Sequence, residues 1–170
     1  MTISKNWTVD FLTSHESPHK RALVILNQPF SFDLLERVWD SSHWHCCADG
    51  GANRLLEVTA GTDKFIPDLI KGDLDSLKSN VQQHYSALGV PVIKDPDQDS
   101  TDLMKCIASL EEKEARDGQR YDIVILGGLA GRLDQTIHLL SYLHKLRKSR
   151  DDVFAVTDDN IGWVLDSNTP

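Results

Sequence analysis

The chain has 170 residues, 40% of them hydrophobic, which suits one globular domain that buries roughly 70% of the surface its unfolded form exposes. Its 18 basic and 26 acidic residues give a net charge of −8, which disfavours nonspecific attachment to nucleic acid or to an anionic membrane. No apolar run approaches the roughly 18 residues of a membrane span, and three cysteines without C-x-x-C spacing make neither a disulfide framework nor a zinc site. With no apolar h-region near the start, a cytoplasmic location and reduced core thiols are expected.

Residues 1–20 are polar and weakly periodic, and read as a loosely ordered lead-in. Residues 22–26, Ala-Leu-Val-Ile-Leu, form a short continuous apolar run of the kind expected for a strand buried on both faces. Ser31 is placed to cap a helix running to about Ser41, with Phe32, Leu35, Val38 and Trp39 at helical spacing. A second apolar run, residues 44–48, ends at Asp49-Gly50-Gly51-Ala52-Asn53, a strand-to-helix turn followed by a short helix with Leu55, Leu56 and Val58. After a loop over residues 61–67, a third strand at 68–71 leads into Gly72-Asp73-Leu74-Asp75-Ser76. A helix over 80–88 stops at Gly89, and a fourth strand at 90–94 opens into Asp95-Pro96-Asp97-Gln98-Asp99-Ser100-Thr101-Asp102. Ser100 or Thr101 caps the next helix, which turns Leu103, Met104, Ile107 and Leu110 inward and leaves Glu111, Glu112, Lys113, Glu114 and Arg116 as a solvated face. Residues 121–126 are the clearest buried strand. They lead to Gly127-Gly128-Leu129-Ala130-Gly131-Arg132, a helix over 133–148, a sixth strand at 153–157 and a seventh at 162–165.

Strands alternating with helices predict a doubly wound, mainly parallel sheet with helices on both faces, a Rossmann-like three-layer α/β/α arrangement. Ligands of such sheets bind beyond the carboxyl ends of the strands. Asp49, the Asp73/Asp75 pair, the 95–102 loop and the 127–132 loop all follow a predicted strand, so one sheet edge collects four acidic or glycine-rich loops.

Asp73 and Asp75, at i and i+2 of an extended segment, would point to one side and share a hard cation such as Mg²⁺, with Gly72 allowing a tight turn in front of them. Carboxylates about 4 Å apart repel by roughly 4 kcal/mol at an effective dielectric of about 20, which a cation relieves. Gly127, Gly128 and Gly131 can direct backbone N–H groups at an anion beside a helix N-terminus, and Arg132 adds a fork suited to phosphate. Taken singly, each feature has a plainer reading: a solvated Asp-x-Asp turn, a tight strand-to-helix turn, or a first-turn acid at Asp102 or Asp134 that favours the helix dipole. Asn53 and Arg54 read equally as helix surface, and His138 and His144 as packing or surface residues. Together the acids and the glycine loop point to Mg²⁺-assisted phosphoryl or nucleotidyl chemistry.

Four stretches resemble, in order and at similar separations, the successive signatures of the thiamin pyrophosphokinases, the eukaryotic form above all. They are Cys47-Ala48-Asp49-Gly50-Gly51-Ala52-Asn53-Arg54, Gly72-Asp73-Leu74-Asp75-Ser76, Asp97-Gln98-Asp99-Ser100-Thr101-Asp102 and Leu126-Gly127-Gly128-Leu129-Ala130-Gly131-Arg132-Leu133-Asp134-Gln135. The resemblance implies transfer of diphosphate from ATP to the hydroxyl of thiamin with release of AMP, a Mg²⁺ requirement and a homodimer. It implies Asp73, Asp75 and Asp102 as metal ligands with Asp49 close by, and Gln98 beside thiamin. It assigns Asn53, Gly127, Gly128, Gly131, Arg132 and Asp134 to the nucleotide and phosphate region. It divides the chain into a lead-in, residues 1–20, and a catalytic domain, residues 21–170. Family members continue into a smaller β-rich domain that helps form the thiamin pocket and the dimer. Its absence here leads to the expectation of a weakened thiamin side and of exposed apolar surface near Ile161, Trp163, Val164 and Leu165. The alternatives are a catalytically poor homologue that keeps Mg²⁺·nucleotide, or another Mg²⁺-dependent phosphotransferase on the same fold.

Overall fold

The structure is a computed structural model that describes residues 7–13, 19–60 and 62–165. Seven strands form one sheet in the order β4-β3-β2-β1-β5-β6-β7. They are β1 (Lys20–Ile25), β2 (Trp44–Ala48), β3 (Leu69–Gly72), β4 (Val92–Lys94), β5 (Tyr121–Leu126), β6 (Val153–Val156) and β7 (Ile161–Gly162). Every pairing is parallel except β6 with β7, which is antiparallel. The chain winds outward from β1 to β4, then crosses back to place β5 on the other side of β1. That reversal puts the topological switch between β1 and β5.

Right-handed crossovers place α1 (Phe32–Asp40), α2 (Gly51–Thr59) and α3 (Ser79–Ala87) on one face, and α4 (Asp102–Asp117) and α5 (Leu133–Leu146) on the other. The two cores confirm it, because successive strand residues alternate between them. Leu23 and Ile25 of β1 and Val124 and Leu126 of β5 pack with Leu35, Val38, Leu55, Val81 and Tyr85. Ala22, Val24, Ile123 and Ile125 pack with Cys106, Ile107, Leu110, Leu139 and Leu143. Each fully buried aliphatic side chain contributes roughly 1.5–3 kcal/mol. The unbroken apolar runs of β1 and β5 are thus the two-sided interior of a three-layer fold.

Local signals explain the helix starts. Ser31 accepts the N–H of Leu34 and caps α1. Of the two candidates before α4, Thr101 is the cap, accepting the N–H of Met104 at 3.3 Å. Cys46, Cys47 and Cys106 are free and buried, and burial pushes the Cys46 and Cys47 thiols well up, away from the reactive thiolate.

Three expectations change. Residues 7–13 are packed rather than loose: Asp10–Leu12 form a 3₁₀ turn, Phe11 lies 5.2 Å from Phe154 ring to ring, and Asp10 pairs with buried Arg21 at 2.6 Å. The rest of the lead-in, residues 1–6 and 14–18, lies outside the described residues, as do residue 61 of the third loop and residues 166–170. The seventh strand is two residues long and shifted to Ile161–Gly162. Finally, Glu114 is not on a solvated face. It is buried against Arg150, accepts a guanidinium hydrogen bond at 2.9 Å, and takes the N–H of Tyr121 at 2.8 Å, which staples α4 to the start of β5. Among the described residues, no helix is long and apolar enough to cross a membrane.

Candidate active site

The loops beyond the carboxyl ends of β1, β2, β3, β4 and β5 surround a cavity of about 590 Å³. Leu26, Asn27 and Gln28 line it from the first loop, Asp49 and Gly50 from the second, and Asp73 and Ser76 from the third. The 97–103 segment, Gly128, and Asp134, Gln135, His138 and Leu139 of α5 complete the wall. The shared edge expected of the acidic and glycine-rich loops is therefore one concave site.

At its floor, one carboxylate oxygen from each of Asp49, Asp73 and Asp102 lies within 4.8 Å of the others. Asp49 follows β2 directly and lies in the left-handed region, at φ 44°, a conformation that Asp and Asn tolerate better than most residues. It is 3% exposed; Oδ2 accepts the N–H of Ser76 at 3.0 Å, while Oδ1 is buried with no partner among the described residues. Burial raises the Asp49 pKa, the Ser76 N–H works against that, and the charges of Asp102 and Asp73 raise it further. Asp102 is the first residue of α4, and its Oδ1 accepts the N–H of Asp73 at 3.1 Å. Gly72 has a different role from the one its sequence suggests. A Cβ there would stand 2.7 Å from Asp49 Cβ and 2.9 Å from Asp102 Oδ1, so glycine is required for these two acids to approach each other across β3.

Asp75 is not in this group. The same-side argument for Asp73 and Asp75 assumed extended backbone, but Leu74 sits at φ 62° and turns the chain between them. Asp75 is exposed, donates its N–H to Asp73 Oδ1 at 3.1 Å, and accepts the Ser76 hydroxyl at 3.0 Å. The third carboxylate of the cluster comes from Asp49.

The glycine loop also differs from expectation. The N–H of Gly127 is used by Val156 O at 2.8 Å and that of Gly128 by Gln28 Oε1 at 2.7 Å, so neither is free to cradle an anion. Arg132 forms a two-pronged pair with Asp134, at 3.1 and 2.6 Å, on the exposed rim. Asp134 lines the cavity, as does exposed Gln98, whose Nε2 donates to Pro96 O at 3.1 Å. Asn53 braces the third loop instead: its amide donates to Ser76 O at 2.8 Å and accepts the N–H of Lys78 at 3.0 Å.

Two features escaped the sequence reading. Asn27 and Gln28 follow β1 directly, so the rule that ligand loops follow parallel strands could have found them. Lys105 is a buried cation one turn into α4, donating to Asp95 O at 2.9 Å and lying 3.4 Å from Asp102 Oδ1. It partly neutralises the acidic group and ties the 95–101 loop to it. Helical spacing alone could not tell this lysine from those on the solvent face.

The sequence and the fold have counterparts among known proteins. The family profile "Thiamin pyrophosphokinase, catalytic domain" matches residues 35–155, from within α1 to within β6. The chain is 36% identical over 156 residues to thiamine pyrophosphokinase 3 of Oryza sativa subsp. japonica, covering 85% of this chain and 57% of that protein. It is 28% identical to the thiamine pyrophosphokinase of Saccharomyces cerevisiae, over 75% of this chain and 54% of the yeast protein. The solved thiamin pyrophosphokinase from Candida albicans superposes with a TM-score of 0.76 at 26% identity, over 84% of this chain and 60% of its own. The chain thus spans little more than half the length of the curated relatives it matches. On its profile match, its identities and its fold, the chain belongs to the thiamin pyrophosphokinase family.

Proposed function

We propose that this chain carries the nucleotide- and metal-binding part of a thiamin pyrophosphokinase, which moves diphosphate from ATP to the thiamin hydroxyl and releases AMP. The observation that carries the reading is the cluster of Asp49, Asp73 and Asp102 on the floor of a cavity at the switch-point edge of a parallel sheet. The cluster suits Mg²⁺: its ligands are hard carboxylate oxygens, and the unpartnered buried Oδ1 of Asp49 is a costly group unless a cation meets it. Asp49, Asp73 and Asp102 would hold the ion, and Asp75 would act on it only indirectly. When bound, the metal neutralises phosphate charge and fixes the orientation of the reacting group.

The chain's own residues then position the substrates. Gly72 keeps the acids close, Lys105 holds Asp102 and the 95–101 loop in register, and Gln98 on that loop faces the cavity as the candidate thiamin contact. Asp134 occupies the Nε and Nη2 prongs of Arg132, so a phosphate would meet its remaining Nη1 and Nη2 hydrogens or displace Asp134 from the pair. The transferred group needs no protein nucleophile, because the thiamin hydroxyl attacks the β-phosphorus and loses its proton, while AMP leaves with the bridging oxygen and the electron pair of the broken Pβ–O bond. We infer a homodimer from the family resemblance, and a cytoplasmic location from the sequence pattern near the start of the chain. The exposed Leu133, Ile137 and Leu140 of α5 offer an apolar stripe for association, and Ile161, Trp163 and Leu165 expose further apolar surface.

The test incubates the chain with ATP, Mg²⁺ and thiamin and resolves the products. AMP and thiamin diphosphate in equal amounts support the reading. ADP would assign a single phosphoryl transfer, and nucleotide binding without turnover would leave a Mg²⁺·nucleotide-binding module.

A further inference from the structure

Gln28 lies at the switch point, between the carboxyl ends of β1 and β5, and lines the cavity while being only 9% exposed. Its backbone N–H turns back to Leu26 O at 2.8 Å, which fixes the main chain. Its side chain reaches the glycine turn 100 residues away, where Oε1 accepts the N–H of Gly128 at 2.7 Å. That bond settles the amide orientation, since only the oxygen can accept from an N–H. Nε2 must therefore face the other way. It has no acceptor among the described residues, and it lies 3.8 Å from the position a Cβ would take on Gly131, at the turn that opens α5. The oxygen end of the carboxamide is thus held by the main chain, and the NH₂ end is left to donate to an acceptor on a ligand in the cavity.

We propose that Gln28 is a further substrate-contacting residue, whose Nε2 donates to a phosphate oxygen of the bound nucleotide. This rests on the nucleotide reading given above and goes beyond it, since residue 28 lies outside the 35–155 profile match. Three facts favour phosphate over another acceptor. The carboxylates that would hold the metal share the same cavity, so the phosphates lie between the two sets of groups. Nucleotide phosphates in open parallel sheets lie at this switch point. The nearest acid on α5, Asp134, is already neutralised by Arg132. The glycine turn thus acts through Gln28: Gly128 gives its N–H to lock the amide, and the amide presents the donor that Gly128 itself does not.

Gln28→Glu separates the two ends. Its carboxylate still accepts the Gly128 N–H, but an anionic oxygen replaces the donor. The wild-type and variant chains are titrated with the α,β-methylene analogue of ATP and with adenosine, both with Mg²⁺, and melted in parallel. The expected result is an affinity for the analogue at least about tenfold weaker with adenosine changed by less than about threefold, the retained adenosine binding showing that the site is still folded. Gln28→Met, which lacks both ends, should lower Tm because the Gly128 N–H is left without an acceptor. Unchanged analogue binding in Gln28→Glu, or equal losses for analogue and adenosine, overturns the proposal while leaving the nucleotide reading intact. Gln28→Met with wild-type Tm overturns the locking of the amide. A wild-type chain that binds neither ligand overturns the nucleotide reading itself, and this proposal with it.

Discussion

Asp102 Oδ1 accepts the backbone N–H of Asp73 at 3.1 Å, joining the first turn of α4 to the end of β3 across 29 residues of sequence. The bond orients one acid by the main chain of another, so neither can move without disturbing the pair. It preorganises the carboxylates that are proposed to hold the ion, which would favour affinity by lowering the ordering cost on binding.

Replacing Asp73 or Asp102 with Asn should therefore remove metal binding while the fold survives, since both are only half-buried. Loss of a partner around a metal site typically costs 10–100-fold in affinity, so loss of a ligand should cost about 100-fold or more. Asp75→Asn should cost less than either, about tenfold, the lower end of the same scale. Calorimetric titration with Mg²⁺ or Mn²⁺, with circular dichroism for folding, ranks the three variants. Equal losses at positions 73 and 75 would return Asp75 to the ligand set.

Asp49→Asn should have effects of opposite sign on stability and on binding. An acid with a raised folded-state pKa is held in its charged form at a cost above that pKa, and the cost is relieved as pH falls through it. The neutral amide removes the penalty at pH 7 and keeps the left-handed backbone that asparagine tolerates. We expect the metal-free variant to be more stable than wild type by on the order of 1 kcal/mol and no longer stabilised by Mg²⁺. Melts with and without the ion check both halves.

Lys105→Met keeps the buried stem but removes the charge beside Asp102 and the donor to Asp95 O. The metal-free protein should lose about 1–3 kcal/mol, the usual cost of a buried group left unsatisfied. Because the acids then repel one another with less compensation, Mg²⁺ should restore a larger part of the Tm than it adds to wild type. An Mg²⁺-induced shift equal to that of wild type would make Lys105 a loop anchor alone.

The Glu114–Arg150 pair predicts an acid limb of stability. Burial alone would raise the Glu114 pKa, but the Arg150 guanidinium and the Tyr121 N–H prevail and hold it below the ordinary 4.5. With the folded value depressed, the stabilisation is complete above about pH 4.5 and is lost as pH falls through the lower folded value. Glu114→Gln should cost about 3 kcal/mol near pH 7, because it leaves the buried guanidinium with only the exposed Glu111 carboxylate, 3.6 Å away. Urea titrations from pH 6 to pH 3 should show a shallower loss of stability in the variant than in wild type.

The sequence by itself determined the element order, the doubly wound layout and the sheet edge that carries the site. Those properties are written in local pattern: continuous apolar runs for strands buried on both faces, helical spacing between them, and polar or glycine-rich loops after each strand. It also marked Asp49, Asp73, Asp102, Gly128 and Asp134 as residues of one region, and all five line the cavity. Only the tertiary structure decided which acids meet. Asp75 is two residues from Asp73 yet is turned away by the backbone of Leu74, whereas Asp49 arrives from another strand because Gly72 leaves room for it. Likewise, Glu114 reads as an ordinary charge on an amphipathic helix, and Lys105 carries no signal in the spacing, until the packing of α4 buries them. The amide of Gln28 acquires its direction only from the N–H of Gly128, 100 residues later. Spacing along a chain fixes which residues can share a face, but contact between loops depends on the backbone angle at single residues and on the register of neighbouring strands, and neither is carried by periodicity.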